Sequence, residues 1–356
     1  FKKKNISSKL EILVKKSENN LNLEKIKFTE NKNFISFKNL YISNDFKIKS
    51  VDEMYVNFLN KKKVLNNFNI KKISNGYDLF GDQVDGEELV ETLLKINQKD
   101  KFSNLFDNIN TSVILNLNKI YLEKNSYLQK LYGEIDIKNN KLFLAKADAI
   151  LENKKKFSYS FRTTTKNEKI TNIFIQDPKP FINNYKFIKG FEEGELKLNS
   201  MKIENNSRSN LKITNFKVKE VPVLAKILTL ASLQGIADLL TGEGVRFTDF
   251  EMIYSTNGNL MTIDEMYAIG PAISIMMEGY FESEKLVSLR GTLVPATTIN
   301  KFIGSIPVLG NILVGAKTGE GVFGVSFKIK GPPKDLETSV NPIKTLTPRF
   351  ITRTLE

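Results

Sequence analysis

Apolar residues recur at every second position over most of this chain, the period expected of strands that bury one face. Leu21 and Leu23 open the pattern, Ile26 and Phe28 continue it, and the runs 34–42 and 46–51 follow. Residues 52–73 add Met54, Val56 and Phe58, then Val64, Leu65, Phe68 and Ile70. Between Gly76 and Gly86 glycine and acidic residues interrupt the alternation. Asp85 followed three residues later by Glu88 has the form of a capping box, which predicts a short helix through Leu89, Leu93 and Leu94.

A second series of strands covers the middle. Val113, Leu115 and Leu117 alternate with polar neighbours, and Ile120 and Leu122 resume after a shift. The run 131–137 is predicted to turn at Asn139-Asn140 and return through Leu142, Leu144, Ala147 and Ala149. Phe157, Tyr159 and Phe161 precede a turn at 166–169, and Ile173 and Ile175 close the series. Asp177-Pro178 can cap a brief helix, 181–188.

In the last third, 195–203 and 211–218 read as strands around a polar turn, 205–210. Val221-Pro222 starts one helix, 223–240, which Gly242 ends. Phe250, Met252 and Tyr254 then share a face, and Asn257-Gly258 is a strong hairpin signal. Met261, Ile263, Tyr267 and Ile269 follow, then Ile273, Ile275 and Met277. Residues 286–293 lead into a second helical stretch, 297–314, interrupted between Gly304 and Pro307. The final strand carries Phe323, Val325, Phe327 and Ile329 and stops at Gly331-Pro332-Pro333. The fold class is therefore mainly β, an antiparallel sheet with a few short helices on or near it. A strand–turn–strand unit recurs weakly at 133–150, 194–218 and 258–281. Three segments follow: a β-rich one at 1–100, a β-repeat at 101–180 and a C-terminal region at 181–356.

Charge changes this picture little. The 53 Lys and Arg exceed the 40 Asp and Glu, giving +13. The excess is mostly lysine scattered on alternate strand positions, whereas nucleic-acid binders concentrate arginine and aromatics in a stripe. No nucleic-acid partner is expected, although attraction to anionic lipid head groups fits the same charge. The chain opens on Phe1-Lys2-Lys3-Lys4 rather than on methionine, which reads as a fragment with an upstream signal or anchor. No run reaches the ~20 apolar residues of a spanning helix.

Catalysis finds few candidates. Cysteine and histidine are both absent, which excludes disulfides, thiol chemistry and Ser–His–Asp or Cys–His constellations. The adjacent carboxylates Glu192/Glu193 and Asp264/Glu265 should point to opposite faces of a strand. Gly242-Glu243-Gly244 and Gly319-Glu320-Gly321 lack the Lys-Ser/Thr of a phosphate loop. Asp82, Asp85 and Glu87 depart from calcium-loop spacing. No enzyme activity, metal or cofactor is expected.

Two adjoining stretches, 213–228 with Val221-Pro222-Val223-Leu224 and 233–248 with Thr241-Gly242-Glu243-Gly244, resemble the C-terminal region of the AsmA-like family, the branch related to YhdP and TamB. The likeness continues in Tyr267-Ala268-Ile269-Gly270-Pro271, in Leu289-Arg290-Gly291, in Ile306-Pro307-Val308 and in Gly319-Glu320-Gly321-Val322-Phe323. It ends in Gly331-Pro332, Asn341-Pro342 and Leu346-Thr347-Pro348. The collinear order carries the resemblance, which covers about 177–351. It implies an elongated, curled β-groove with an apolar concave face, anchored in the inner membrane and reaching into the periplasm. The implied role is phospholipid transport between the inner and outer membranes or envelope homeostasis.

Two readings of the apolar face stay open. Either the chain's own helices cover it, making an interaction or scaffold protein with an envelope partner, or part of it receives phospholipid acyl chains. A lipid tail needs no convergent polar groups, since each buried methylene contributes about 0.8 kcal/mol. The candidate lining residues are Ile273, Ile275, Met277, Phe323, Val325 and Phe327. Along 223–240, Leu224, Ile227, Leu228 and Ala231 form a stripe that either packs inward or meets a membrane or partner.

Overall fold

The structure, a computed structural model, describes residues 7–17, 20–43, 45–87, 110–123, 126–182, 189–283, 285–295 and 324–343. The fold class is mainly β: almost wholly antiparallel sheet, with three short helices among the described residues. The chain divides into two compact units, Phe1–Ile175 and Gln176–Glu356.

The first unit holds β1 (Ser8–Ser17), β2 (Asn20–Glu30), β3 (Asn33–Ile42), β4 (Ile48–Leu59), β5 (Leu65–Ile73), β6 (Gly76–Asp85), β7 (Thr111–Glu123), β8 (Ser126–Lys138), β9 (Lys141–Leu151), β10 (Lys156–Thr163) and β11 (Lys169–Ile175). Each strand pairs with the next. The β6–β7 pair alone is parallel among the pairs of this unit's described strands, with Leu79 beside Leu115. A parallel partner requires the chain to travel back along the strand first. The stretch between Asp85 and Thr111 is long enough for that return. The helix expected through Leu89, Leu93 and Leu94 lies outside the described residues. Asp85 does accept a hydrogen bond from the Glu87 amide, 3.2 Å away.

Local chemistry explains the hairpins. Asn139 and Asn140 both take left-handed φ, 50° and 60°, as a type I′ loop requires. Four longer turns share one design, spanning Ser43–Lys47, Asn60–Val64, Leu151–Lys155 and Thr164–Glu168. In each, the first amide donates to the fifth carbonyl and the fourth amide donates back to the first carbonyl. The fourth residues, Phe46, Lys63, Lys154 and Asn167, sit at φ 60°, 64°, 64° and 61°.

The second unit opens with a single helical turn, α1 (Lys179–Ile182); the rest of the helix expected at 181–188 lies outside the described residues. Next come β12 (Lys189–Ile203), β13 (Asn206–Lys219), α2 (Pro222–Leu230), α3 (Gln234–Thr241), β14 (Val245–Asn257), β15 (Leu260–Ile269), β16 (Ile273–Glu282), β17 (Leu286–Pro295), β18 (Gly324–Gly331) and β19 (Glu337–Ile343). The eight strands form an antiparallel meander. The polar stretch expected as a turn at 205–210 is mostly strand, because Asn206 already pairs with Ile203 and only Glu204 and Asn205 turn. Its polar residues fit this strand, and buried Ser209 donates to Ser200 across it at 2.8 Å. The Asn257-Gly258 hairpin forms, with Gly258 at φ 56° opening its two-residue loop.

The single helix expected at 223–240 is two. At the end of α2, Leu233 N–H donates to the Leu228 carbonyl at 2.8 Å and Ser232 N–H to the Thr229 carbonyl at 3.0 Å. This pair of bonds is a Schellman motif with Ser232 at φ 58° in the position glycine usually takes. The second helical stretch expected at 297–314 lies outside the described residues.

Both helices close one end of the unit's core. Leu224, Ile227, Leu228, Ala237 and Leu240 pack with Phe191, Phe216, Val245 and Phe247 from the sheet. Phe191, Phe216 and Phe247 stack in sequence with centroids 5.4 Å apart at each step.

Candidate functional site

Strand register assembles a surface that no short motif encodes. In the first unit, Ile12, Ile26, Phe37, Met54, Ile70, Leu79, Leu115, Gly133, Ala147, Tyr159 and Ile173 stand directly opposite one another from β1 to β11. A second row, Leu10, Phe28, Ile35, Val56, Phe68, Gly81, Leu117 and Leu131, runs beside it over eight strands. The side chains between these rows face the other way. There Lys25, Lys38, Glu53, Lys71 and Asp78 stand in register. The sheet thus separates one apolar face from one charged face.

The apolar face is covered unevenly. Leu115, Leu117, Tyr159 and Ile173 are buried, whereas Ile26, Phe28, Phe37, Met54, Ile70 and Leu79 are half-buried. The three described helices all belong to the second unit. From β2 to β6, then, most residues of the apolar rows keep part of their surface exposed, although Val56 on β4 is buried.

In the second unit the corresponding row is Leu198, Leu211, Met252, Met266, Met277, Gly291, Phe327 and Val340. Beside it run Leu196, Ile213, Phe250, Ala268, Ile275, Leu293 and Val325. The ring of Phe327 lies over Gly291, where an added Cβ would come within 2.5 Å of it. Three methionines, Met252, Met266 and Met277, sit side by side and half-buried. Unbranched, polarisable thioethers adapt to partners of variable shape.

The sequence candidates fall on this face, but not all at an accessible place. Ile273 and Val325 are wholly withdrawn from solvent and Phe327 is 3% exposed, all within the core that α2 and α3 close. Those three are structural core, a correction to their reading as groove lining. Ile275 and Met277 are half-buried beside that core. Phe323 lies outside the described residues. Leu224, Ile227, Leu228 and Ala231 point into the core, so they do not face a membrane or partner; Lys226, Thr229 and Leu230 are on the exposed side of α2. Met252, Phe37, Met54 and Ile70 were legible as apolar strand positions, whereas Met266 was not, and only register brings them together.

Of the carboxylates singled out for chemistry, Glu192, Glu193, Asp82, Asp85 and Glu87 are tied to neighbours. Glu193 receives two bonds from the Arg246 guanidinium, at 2.8 and 3.2 Å, which hold its pKa below the carboxylate range. Glu192 pairs with Lys219 at 3.2 Å. Glu87 pairs with Lys62, Asp85 accepts from Asn60 at 2.5 Å, and Asp82 accepts from Asn118 at 3.2 Å. Among the described residues no group of three or more acidic side chains is placed to hold a metal ion. Partial burial works against the Glu251 carboxylate, but bonds from Tyr267, Asn210 and Lys212 outweigh it and lower its pKa. A shallow hollow of about 370 Å³ lies between Met201, Ile203, Arg208 and Leu260.

No helix among the described residues is long and apolar enough to cross a membrane. Comparisons with family models, with curated proteins and with solved structures found no match to this chain.

Proposed function

We propose that the chain is a non-enzymatic bacterial envelope protein whose apolar β-face holds phospholipid acyl chains, in transport between the inner and outer membranes or in envelope homeostasis. One observation carries this reading: apolar residues stand in unbroken register across the first unit, yet from β2 to β6 most of them, buried Val56 excepted, remain half-buried. A continuous apolar strip of this kind suits a long flexible chain better than a compact polar substrate. The methionine trio on the second unit's face suits acyl chains of differing length and unsaturation. The collinear motifs between 177 and 351 that resemble the AsmA-like family lend the envelope setting, periplasmic and anchored in the inner membrane by a segment upstream.

The test is direct. Protein purified without detergent should carry phospholipid detectable by mass spectrometry and should take up a fluorescent phospholipid from vesicles. Protein that neither carries nor takes up lipid would refute the reading. A second reading, an envelope scaffold whose sheet its own helices cover, draws on the closed end of the second unit. It predicts a stable protein partner and no lipid.

A further inference from the structure

Of the four turns built alike in the first unit, three place a polar residue, Lys63, Lys154 or Asn167, at the left-handed fourth position. The remaining turn places Phe46 there, 84% exposed. Left-handed φ is unfavourable for a bulky side chain, and exposing an aromatic ring to water adds a second cost. The turn needs neither, since its three counterparts close with the same backbone bonds. Ser43 fixes the conformation further: its Oγ accepts from the Lys47 amide at 3.1 Å. A backbone outlier held in place by its surroundings points to a contact made by the side chain it presents.

Register sets where that contact can be made. Lys71 on β5 pairs with Glu53, and β5 ends at Ile73, while β4 begins at Ile48. The Ser43–Lys47 turn therefore projects past the neighbouring β5–β6 hairpin. Lys47 and Lys49 lie on the β4 side of its base; Lys47 pairs with Asp45, which Ser43 also bonds, and Lys72 on β5 pairs with Asp52 at 4.0 Å. An exposed aromatic at the tip of a narrow hairpin, in a chain of net charge +13, matches a bilayer interface with anionic head groups. A protein interface would call for a wider apolar patch around the ring.

We infer that the Phe46 tip inserts into the head-group region of an anionic membrane, docking the first unit on the bilayer from which lipid would enter. This rests partly on the lipid-handling reading but fails separately from it, because surface docking and acyl-chain carriage have different readouts. The chain contains no tryptophan, so Phe46→Trp places one fluorophore at the tip. On vesicles of phosphatidylcholine with phosphatidylglycerol its emission should shift to the blue, and brominated lipids should quench it. On pure phosphatidylcholine the shift should be weak. Phe46→Asn, a residue suited to left-handed φ, should fold normally, keep any bound phospholipid and bind the anionic vesicles about fivefold more weakly. Lys49→Glu with Lys72→Glu should weaken binding and flatten its salt dependence. An unshifted F46W emission on vesicles that bind the protein would overturn the inference, as would F46N binding equal to the parent. Phospholipid lost from the F46N protein would mean that the ring serves the fold or the acyl site, and would also overturn it.

Discussion

Leu293 on β17 lies directly opposite Val325 on β18, and neither exposes any surface to solvent. The pair sits in the core closed by α2 and α3, where truncation leaves a cavity that the surrounding strands cannot fill. Leu293→Ala should destabilise the second unit by about 2–5 kcal/mol. Urea unfolding followed by circular dichroism would measure it. The same truncation at half-buried Met277 should cost clearly less, because solvent already reaches that side chain.

Helix α2 ends on Ser232 in a left-handed conformation that glycine adopts freely. Ser232→Gly should stabilise the protein by up to about 1 kcal/mol, seen as a higher unfolding midpoint. Unchanged or lowered stability would mean that the Schellman geometry is not what limits this turn.

Tyr267 donates to Glu251 across β14–β15. Glu251 has a folded pKa below its ordinary value near 4.5. The stability it contributes is therefore present above pH 4.5 and lost as pH falls through the lowered value. Burial, then the bond to Glu251, pushes the Tyr267 phenol up. Its contribution is present below about pH 10 and declines as pH rises toward the raised value. Tyr267→Phe removes one of the bonds that oppose Glu251 burial, so its acid unfolding midpoint should move to higher pH. Circular dichroism across a pH series would detect the shift; an unmoved midpoint would assign the low carboxylate pKa to Asn210 and Lys212.

Period-two alternation made the strands legible, and Asn139-Asn140 and Asn257-Gly258 made two of their hairpins so. Three features were hidden for separate physical reasons. The parallel β6–β7 pair depends on how the chain returns between Asp85 and Thr111, which no local pattern encodes. The break after α2 rests on a serine where glycine would have announced a helix end. The strand at 206–210 is polar on both faces, because Ser207 and Ser209 occupy inward positions usually marked by apolar residues. For the candidate site, alternation identifies Met252 and Met277 as apolar positions but places Tyr267, not Met266, on the apolar face. Met266 escapes it because a bulge between Ile263 and Met266 resets the register and sets Met266 between Met252 and Met277. Nor could alternation separate Val325, buried in the core with α2 and α3, from half-buried Ile70.

The central claim is that the apolar face of the first unit holds acyl chains, and Ile70 and Lys71 test it as adjacent residues on opposite faces of β5. A photoreactive amino acid placed at each position in turn would be activated in the presence of radiolabelled phospholipid. Label captured at position 70 and not at 71 is the predicted result. Equal capture at both positions, or none at 70 in protein shown to be folded, would contradict the account.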